Sequence, residues 1–232
     1  FVTKTAANGL RVENDWFDGA STTATQVAIS QKTLNKDGST DTDYTVSKPA
    51  GASTEIQTHV SASGNVVTTK EDLDGDHTFE TVRTGTIVRN EDGSSLRTIS
   101  EVNNLGTLLD VAVISVDNTG RFTKITRDNN GDGNKDQVEV DVNLVDGTTK
   151  KVIDDYNLRG LKRDETTIVK SADGLTTSTS WDLNGDGVID QTRKETVVNR
   201  GNGDIIDTLT DYNSSNALIQ NAVVTTSDNG HL

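Results

Sequence analysis

The sequence predicts an all-β protein made of tandem four-stranded repeats, each one supersecondary unit in length. Three observations carry that expectation. Glycine-containing turns recur at Gly9, Gly64, Gly120, Gly174 and Gly230, at a nearly constant interval. Segments such as 137–144 alternate Val138, Val140, Val142 and Leu144 with polar residues, the period of two that marks a half-buried strand. Val, Ile and Thr abound, and no stretch sustains a 3.6-residue apolar period over a dozen residues, which nearly excludes helix. The best helical candidate, residues 155–171, is interrupted by Gly160.

Each repeat can be followed in order. The turn that opens it ends in Gly64 (61–64), Gly120 (117–120) or Gly174 (171–174), with the same turn at Gly9 and Gly230. An acidic nine-residue loop begins eight residues later. A second turn follows at 35–40, 90–95, 144–149 and 199–204, and a third, with an Asp/Glu-Tyr/Val-Asn signature, at 101–103, 155–157 and 211–213. Asn-Gly and Asp-Gly pairs favour the positive φ of two-residue hairpins. Four short strands therefore separate the turns, giving a divergent first repeat over 1–63 and repeats over 64–119, 120–173 and 174–232. The first repeat carries Pro49, the only proline, where its siblings carry the Asn-containing turn. Hydrophobic residues make up 31% and aromatics 4% of the chain. Such a thin core favours units stacked in an elongated array; a closed, propeller-like ring is the alternative.

The acidic loops carry the chemistry. The pattern Asp-x-[Asp/Asn]-Gly-Asp-x-x-x-[Asp/Glu] begins at Asp72, Asp128 and Asp182, in step with the turns. Calcium takes six to eight oxygen ligands in a flexible cage, and alternate positions of a tight loop can supply them. The first loop offers Asp72, Asp74, Asp76, the carbonyl of Thr78, and Glu80. The second offers Asp128, Asn130, Asp132, the carbonyl of Asn134, and Asp136. The third offers Asp182, Asn184, Asp186, the carbonyl of Val188, and Asp190. Glycine stands at position 4 in all three and at position 6 in two; His77 replaces it in the first, at a strain cost if φ must be positive. The loops are not EF-hands, because position 12 is Arg83, Glu139 and Arg193 and the flanks read as strands. Polar turns between strands are the plainer alternative. In the first repeat Asp15 and Asp18 are too few and wrongly spaced, so three calcium ions are expected and none there.

Composition narrows the function classes. The net charge of −14 argues against nucleic acid or an anionic membrane as partner. No stretch of 18 apolar residues suggests a transmembrane helix. Cysteine is absent, so calcium is expected to take the place of disulfides as the staple of a thin core. The chain begins at Phe1 without methionine or a visible signal peptide, and is expected to be a piece of a longer protein. No catalytic pattern emerges, and no enzyme is expected. His59, His77 and His231 occupy unrelated repeat positions, and no GxSxG elbow appears. Trp181, Trp16, Tyr156 and Tyr212 read as packing residues, with an indole platform for sugar as the alternative.

The metal loops resemble those of FG-GAP-type β repeats in motif. The repeats as a whole, with residues 171–198 as the best specimen, look like the tandem arrays of very large calcium-binding proteins exported by Gram-negative bacteria, of the RTX or haemolysin-type group. A weaker likeness, through residues 115–126, is to YD or RHS repeats. The first resemblance implies type I secretion and a secreted or cell-surface protein folded by calcium after export. The expected function is a calcium-stabilised spacer or adhesive stalk. Its expected partners are calcium and neighbouring repeats, and the rival reading is a glycan- or protein-binding module.

Overall fold

The computed structural model describes residues 1–48, 51 and 53–227, and Pro49, the Gly230 turn and His231 lie outside them. The described residues form 17 strands and no helix. They are β1 (Val2–Thr5), β2 (Arg11–Trp16), β3 (Gln26–Leu34), β4 (Thr40–Ser47), β5 (Thr54–Val60), β6 (Val66–Asp72), β7 (Thr81–Arg89), β8 (Ser95–Asn103) and β9 (Leu108–Val116). There follow β10 (Phe122–Asp128), β11 (Gln137–Asn143), β12 (Thr149–Tyr156), β13 (Lys162–Lys170), β14 (Thr176–Asp182), β15 (Gln191–Asn199), β16 (Ile205–Asn213) and β17 (Leu218–Thr226). Residues 155–171, the best helical candidate, are the end of β12, a turn and β13.

Two compact units divide the chain. The first holds Phe1–Arg89, Leu96–Ala112 and Asn129–Asp132; the second holds Asn90–Ser95, Val113–Asp128 and the rest from Gly133. In the first unit β1 to β7 each pair antiparallel with the next, for example Val2 with Asp15 and Glu55 with Asp72. In the second, β10 to β17 do the same. The repeat boundary inside each unit does not interrupt the ladder. β5 pairs β6 around Gly64, and β13 pairs β14 around Gly174.

That continuity overturns the closed, propeller-like ring. Propeller blades are separate four-stranded sheets set around an axis. Here, within each unit, the fourth strand of one repeat donates its free edge to the first strand of the next, so the repeats share an open sheet instead of forming separate blades.

The core is as thin as the composition implies. Among the described residues only Ala28, in the first unit, and Val138, in the second, are buried hydrophobics. Within each unit the strands touch only their sheet neighbours, so neither unit builds a second layer of its own among the described residues. Cross-strand side-chain pairs hold such a sheet instead, each worth roughly 0.2–1 kcal/mol. In the second unit Arg127 Nη1 donates to Glu139 Oε2 at 3.1 Å, and Lys151 Nζ pairs with the same carboxylate on the next strand. Arg193 forks onto Asp211 at 2.8 and 2.9 Å, and Gln220 donates to it from β17. In the first unit Lys4 bridges Glu13 at 2.8 Å and Asp15 at 2.6 Å.

The turns differ from expectation in one respect. In a two-residue hairpin of type I′ both central residues have positive φ. Here only the glycine does: φ is 69° at Gly9, 89° at Gly38 and 73° at Gly174, and the Asn or Asp before it is not left-handed. The glycine N–H instead bonds back three residues, Gly9 to Ala6 and Gly174 to Ser171, closing a four-residue turn. The preceding aspartate captures the N–H two residues on, as Asp37 does from Ser39 at 2.9 Å and Asp173 from Leu175 at 2.9 Å. The Asp-Gly pair is thus a carboxylate cap followed by a left-handed joint. The Asn-containing turn follows the same logic: Asn157 Oδ1 accepts from Arg159 and Leu161, and Asn213 Oδ1 from Ser215 and Ala217. The ladder shifts register one step earlier, at Asp155/Tyr156 and Asp211/Tyr212.

Candidate metal-binding loops

Each acidic loop leaves a strand with its first aspartate as the last strand residue: Asp72 ends β6, Asp128 ends β10 and Asp182 ends β14. The loop mouth is closed by one backbone bond, from Glu80 N to Glu71 O at 2.9 Å and from Asp190 N to Trp181 O at 2.8 Å. The first aspartate is buried although most of its loop is exposed. Asp72 is 0% and Asp182 1% accessible.

Backbone N–H groups explain how a carboxylate tolerates that burial. Asp72 Oδ1 accepts from Gly75 at 2.6 Å and Oδ2 from His77 at 2.9 Å. Asp182 accepts equivalently from Gly185 and Gly187, both at 2.8 Å, and from Asn184 at 3.3 Å. Burial alone pushes the Asp182 carboxyl up, but the bonds from Gly187 and Gly185, with Asn184 and Asp186 behind them, outweigh it and hold it below the usual range. The ninth residue reaches back across the loop, where Glu80 accepts from Leu73 N at 2.7 Å and Asp190 from Leu183 N at 2.8 Å. Positions 3 and 5 accept the N–H two residues on: Asp74 from Asp76, Asp76 from Thr78, Asn184 from Asp186, and Asp186 from Val188. The position-7 residues Thr78 and Val188 are therefore fixed through their own N–H groups.

In the first loop the four carboxylates converge. Asp72, Asp74, Asp76 and Glu80 each place an oxygen within 4.8 Å of the others, a group that could hold a metal ion. No lysine or arginine pairs with any of them among the described residues. In the third loop Asn184 occupies position 3, and Asp182, Asp186 and Asp190 do not form so tight a group among the described residues. In the second loop Asp128 is buried at 6% accessibility, and its Oδ2 accepts from Gly133 at 2.8 Å. Asn130 accepts from Asp132 at 2.9 Å there, and Asp136 closes the mouth onto Arg127 O at 2.8 Å. Asp15, in the first repeat, lies within β2 and is paired with Lys4 rather than facing a loop.

The glycines at position 4 have a second reason beyond φ. A Cβ on Gly185 would lie 2.5 Å from Lys162 O, and one on Gly131 would lie 2.2 Å from Leu108 O, so the loop lies against the start of the neighbouring hairpin strand. At position 6 Gly133 and Gly187 have φ of 86° with nothing near, and His77 takes the same left-handed conformation at 68°. The strain expected at His77 is therefore present.

Sequence reasoning missed Glu55. It lies on β5 directly opposite Asp72, and its carboxylate, the Asp72 carboxylate and the His77 imidazole also lie within 4.8 Å of one another. The available signal was Glu165, two repeats on, which faces Asp182 in the same register. Of the remaining candidates, His59 Nδ1 lies 2.6 Å from Asp41 Oδ1, and Lys135 lies 4.0 Å above the Tyr156 ring. The Arg193 guanidinium lies 5.8 Å from the Trp181 ring, and Trp16 packs against Phe1 at 5.2 Å. Comparisons with protein-family models and with curated proteins give no match.

Proposed function

We propose that this chain is a calcium-stabilised segment of a secreted or surface protein, acting as a spacer or adhesive stalk. The observation that carries the reading is the first loop, where four carboxylates converge without a cationic side chain among the described residues to offset them. Like charges at that separation repel in the absence of a cation. The donor set is all oxygen, which suits a hard ion of flexible coordination such as calcium over softer metals. The second and third loops share the motif and its backbone bonds, so we assign one ion to each and three to the chain. In each loop the chain's own contribution is to hold the carboxylates in place before the ion arrives, through N–H bonds from positions 4 to 7. Bound calcium supplies the positive charge that allows those carboxylates to stay together.

A sheet with so few buried hydrophobic residues has little else to stiffen it. Calcium outside the cell is plentiful enough to fill such loops, and inside it is scarce, which fits folding after export. The likeness to RTX-type arrays supports the same localisation and the type I route. We assign no catalytic residues, and we regard the repeats as stacked in an elongated array for which a cell-surface glycan or protein is the partner class. Isothermal titration of calcium into chelator-treated protein, followed in parallel by circular dichroism, tests the reading. Three equivalents with a gain of β signal are expected; fewer than one equivalent at millimolar calcium refutes it.

A further inference from the structure

We propose that the first loop, alone among the three, also takes a borderline divalent ion of the zinc class, held by His77, Glu55 and Asp72. The proposal rests on the first loop being a cation loop, and uses different donors from the calcium cage except for Asp72. Three observations lead to it. The donor atoms of the three residues lie within 4.8 Å of one another. The imidazole of His77 makes no hydrogen bond or ion pair among the described residues, although its backbone N–H is fixed on Asp72. Glu55 comes from a separate strand, placed opposite Asp72 by the β5–β6 register, and its side-chain partner among the described residues is the neutral Gln57 at 2.8 Å.

The donor chemistry selects the ion. Imidazole nitrogen and carboxylate oxygen are both zinc ligands, with bonds of about 2.0–2.2 Å, and three protein ligands leave a fourth position to water. Calcium prefers oxygen throughout, so a nitrogen donor discriminates against it. A tetrahedral ion with such bonds spaces its ligands about 3.4 Å apart, inside the 4.8 Å that separates the three donor atoms at most. Neither sibling loop can do this. Gly133 and Gly187 supply no donor at position 6, and Glu165, the counterpart of Glu55, is tied to Lys162 at 2.6 Å. A left-handed histidine, otherwise a strained substitute for glycine, thereby acquires a role. Because Asp72 belongs to both donor sets, zinc and calcium at this loop are coupled, while the third loop is indifferent to zinc.

The test is zinc titration, by calorimetry and by competition with a chromophoric chelator, on the full chain with millimolar calcium and again without it. The wild type is expected to bind one equivalent of zinc. His77→Gly, which restores the residue of the sibling loops, and Glu55→Gln are each expected to weaken zinc at least tenfold. His77→Gly should keep its calcium stoichiometry and its circular dichroism. Cobalt in place of zinc should give the visible absorption of a tetrahedral nitrogen–oxygen site, lost in His77→Gly. Zinc binding of equal strength in wild type and His77→Gly, or no binding in the wild type, overturns the proposal. Either result leaves the calcium stoichiometry as a separate measurement, and absence of calcium binding leaves the calcium-free zinc titration readable.

Discussion

Replacing Gly185 and Gly187 by alanine, one at a time, separates two demands that the metal loop makes on its backbone. Both residues are left-handed, with φ of 73° and 86°. An alanine Cβ in that region costs about 1–2 kcal/mol. At Gly187 nothing lies within 4 Å of the added atom, so that cost is the whole effect. At Gly185 the added Cβ meets Lys162 O at 2.5 Å, Lys162 C at 3.0 Å and Arg163 C at 3.2 Å, all backbone atoms that cannot rotate aside. Forced displacement of packed groups adds about 1–3 kcal/mol. Gly185→Ala is therefore expected to cost about 2–5 kcal/mol and Gly187→Ala about 1–2 kcal/mol. Trp181 immediately precedes the loop, so urea unfolding followed by its fluorescence in a Trp16→Phe background reads the local event. Measurements in calcium and in chelator should preserve the order of the two variants. Equal destabilisation would show that the loop does not lie against β13, and the account of position 4 would reduce to φ alone.

Chelation should lower the melting temperature markedly, because the ion binds the folded loops and not the unfolded chain; an unchanged melting temperature would leave the loops as turns only. Asp132→Ala with Asp136→Ala should remove one calcium equivalent and loosen the third repeat, as read by amide exchange of β11 and β12. The carboxyls of Asp211, held low by Arg193, of Glu139, held low by Lys151, and of Asp182 lie below their usual range. They stay ionised in the folded chain where the unfolded chain takes up protons. Their stabilisation is complete above the unfolded values, roughly pH 4, and is lost as pH falls through the folded ones. Asp211→Asn should flatten that acid limb, and an unchanged limb would count against the Arg193 pair. Small-angle scattering in calcium should give a radius of gyration clearly above the roughly 17 Å of a compact chain of this length; a compact value would refute the array.

Much of this protein was legible in its sequence because its regularities are local. A glycine at each repeat step, an aspartate or asparagine near it and alternating Val and Thr between are short-range instructions, and the turns at Gly64, Gly120 and Gly174 form where they are written. The nonapeptide was readable for the same reason: its carboxylates and the N–H groups that hold them lie within one loop. Non-local pairing was not readable. That β5 should pair with β6, and β13 with β14, rather than close into blades, depends on free strand edges meeting across a repeat boundary, which no single repeat encodes. The same register brings Glu55 opposite Asp72 from the other side of that boundary. The β13–β14 pairing likewise sets Lys162 O against Gly185, and the strand registers inside the last repeat set Arg193 on Asp211 beside Gln220. Sequence determined the strands, the turns and the oxygen-rich loops through local torsional and hydrogen-bonding preferences. Only the tertiary structure decided which neighbour each strand edge chose, and through that choice which distant side chains share a loop.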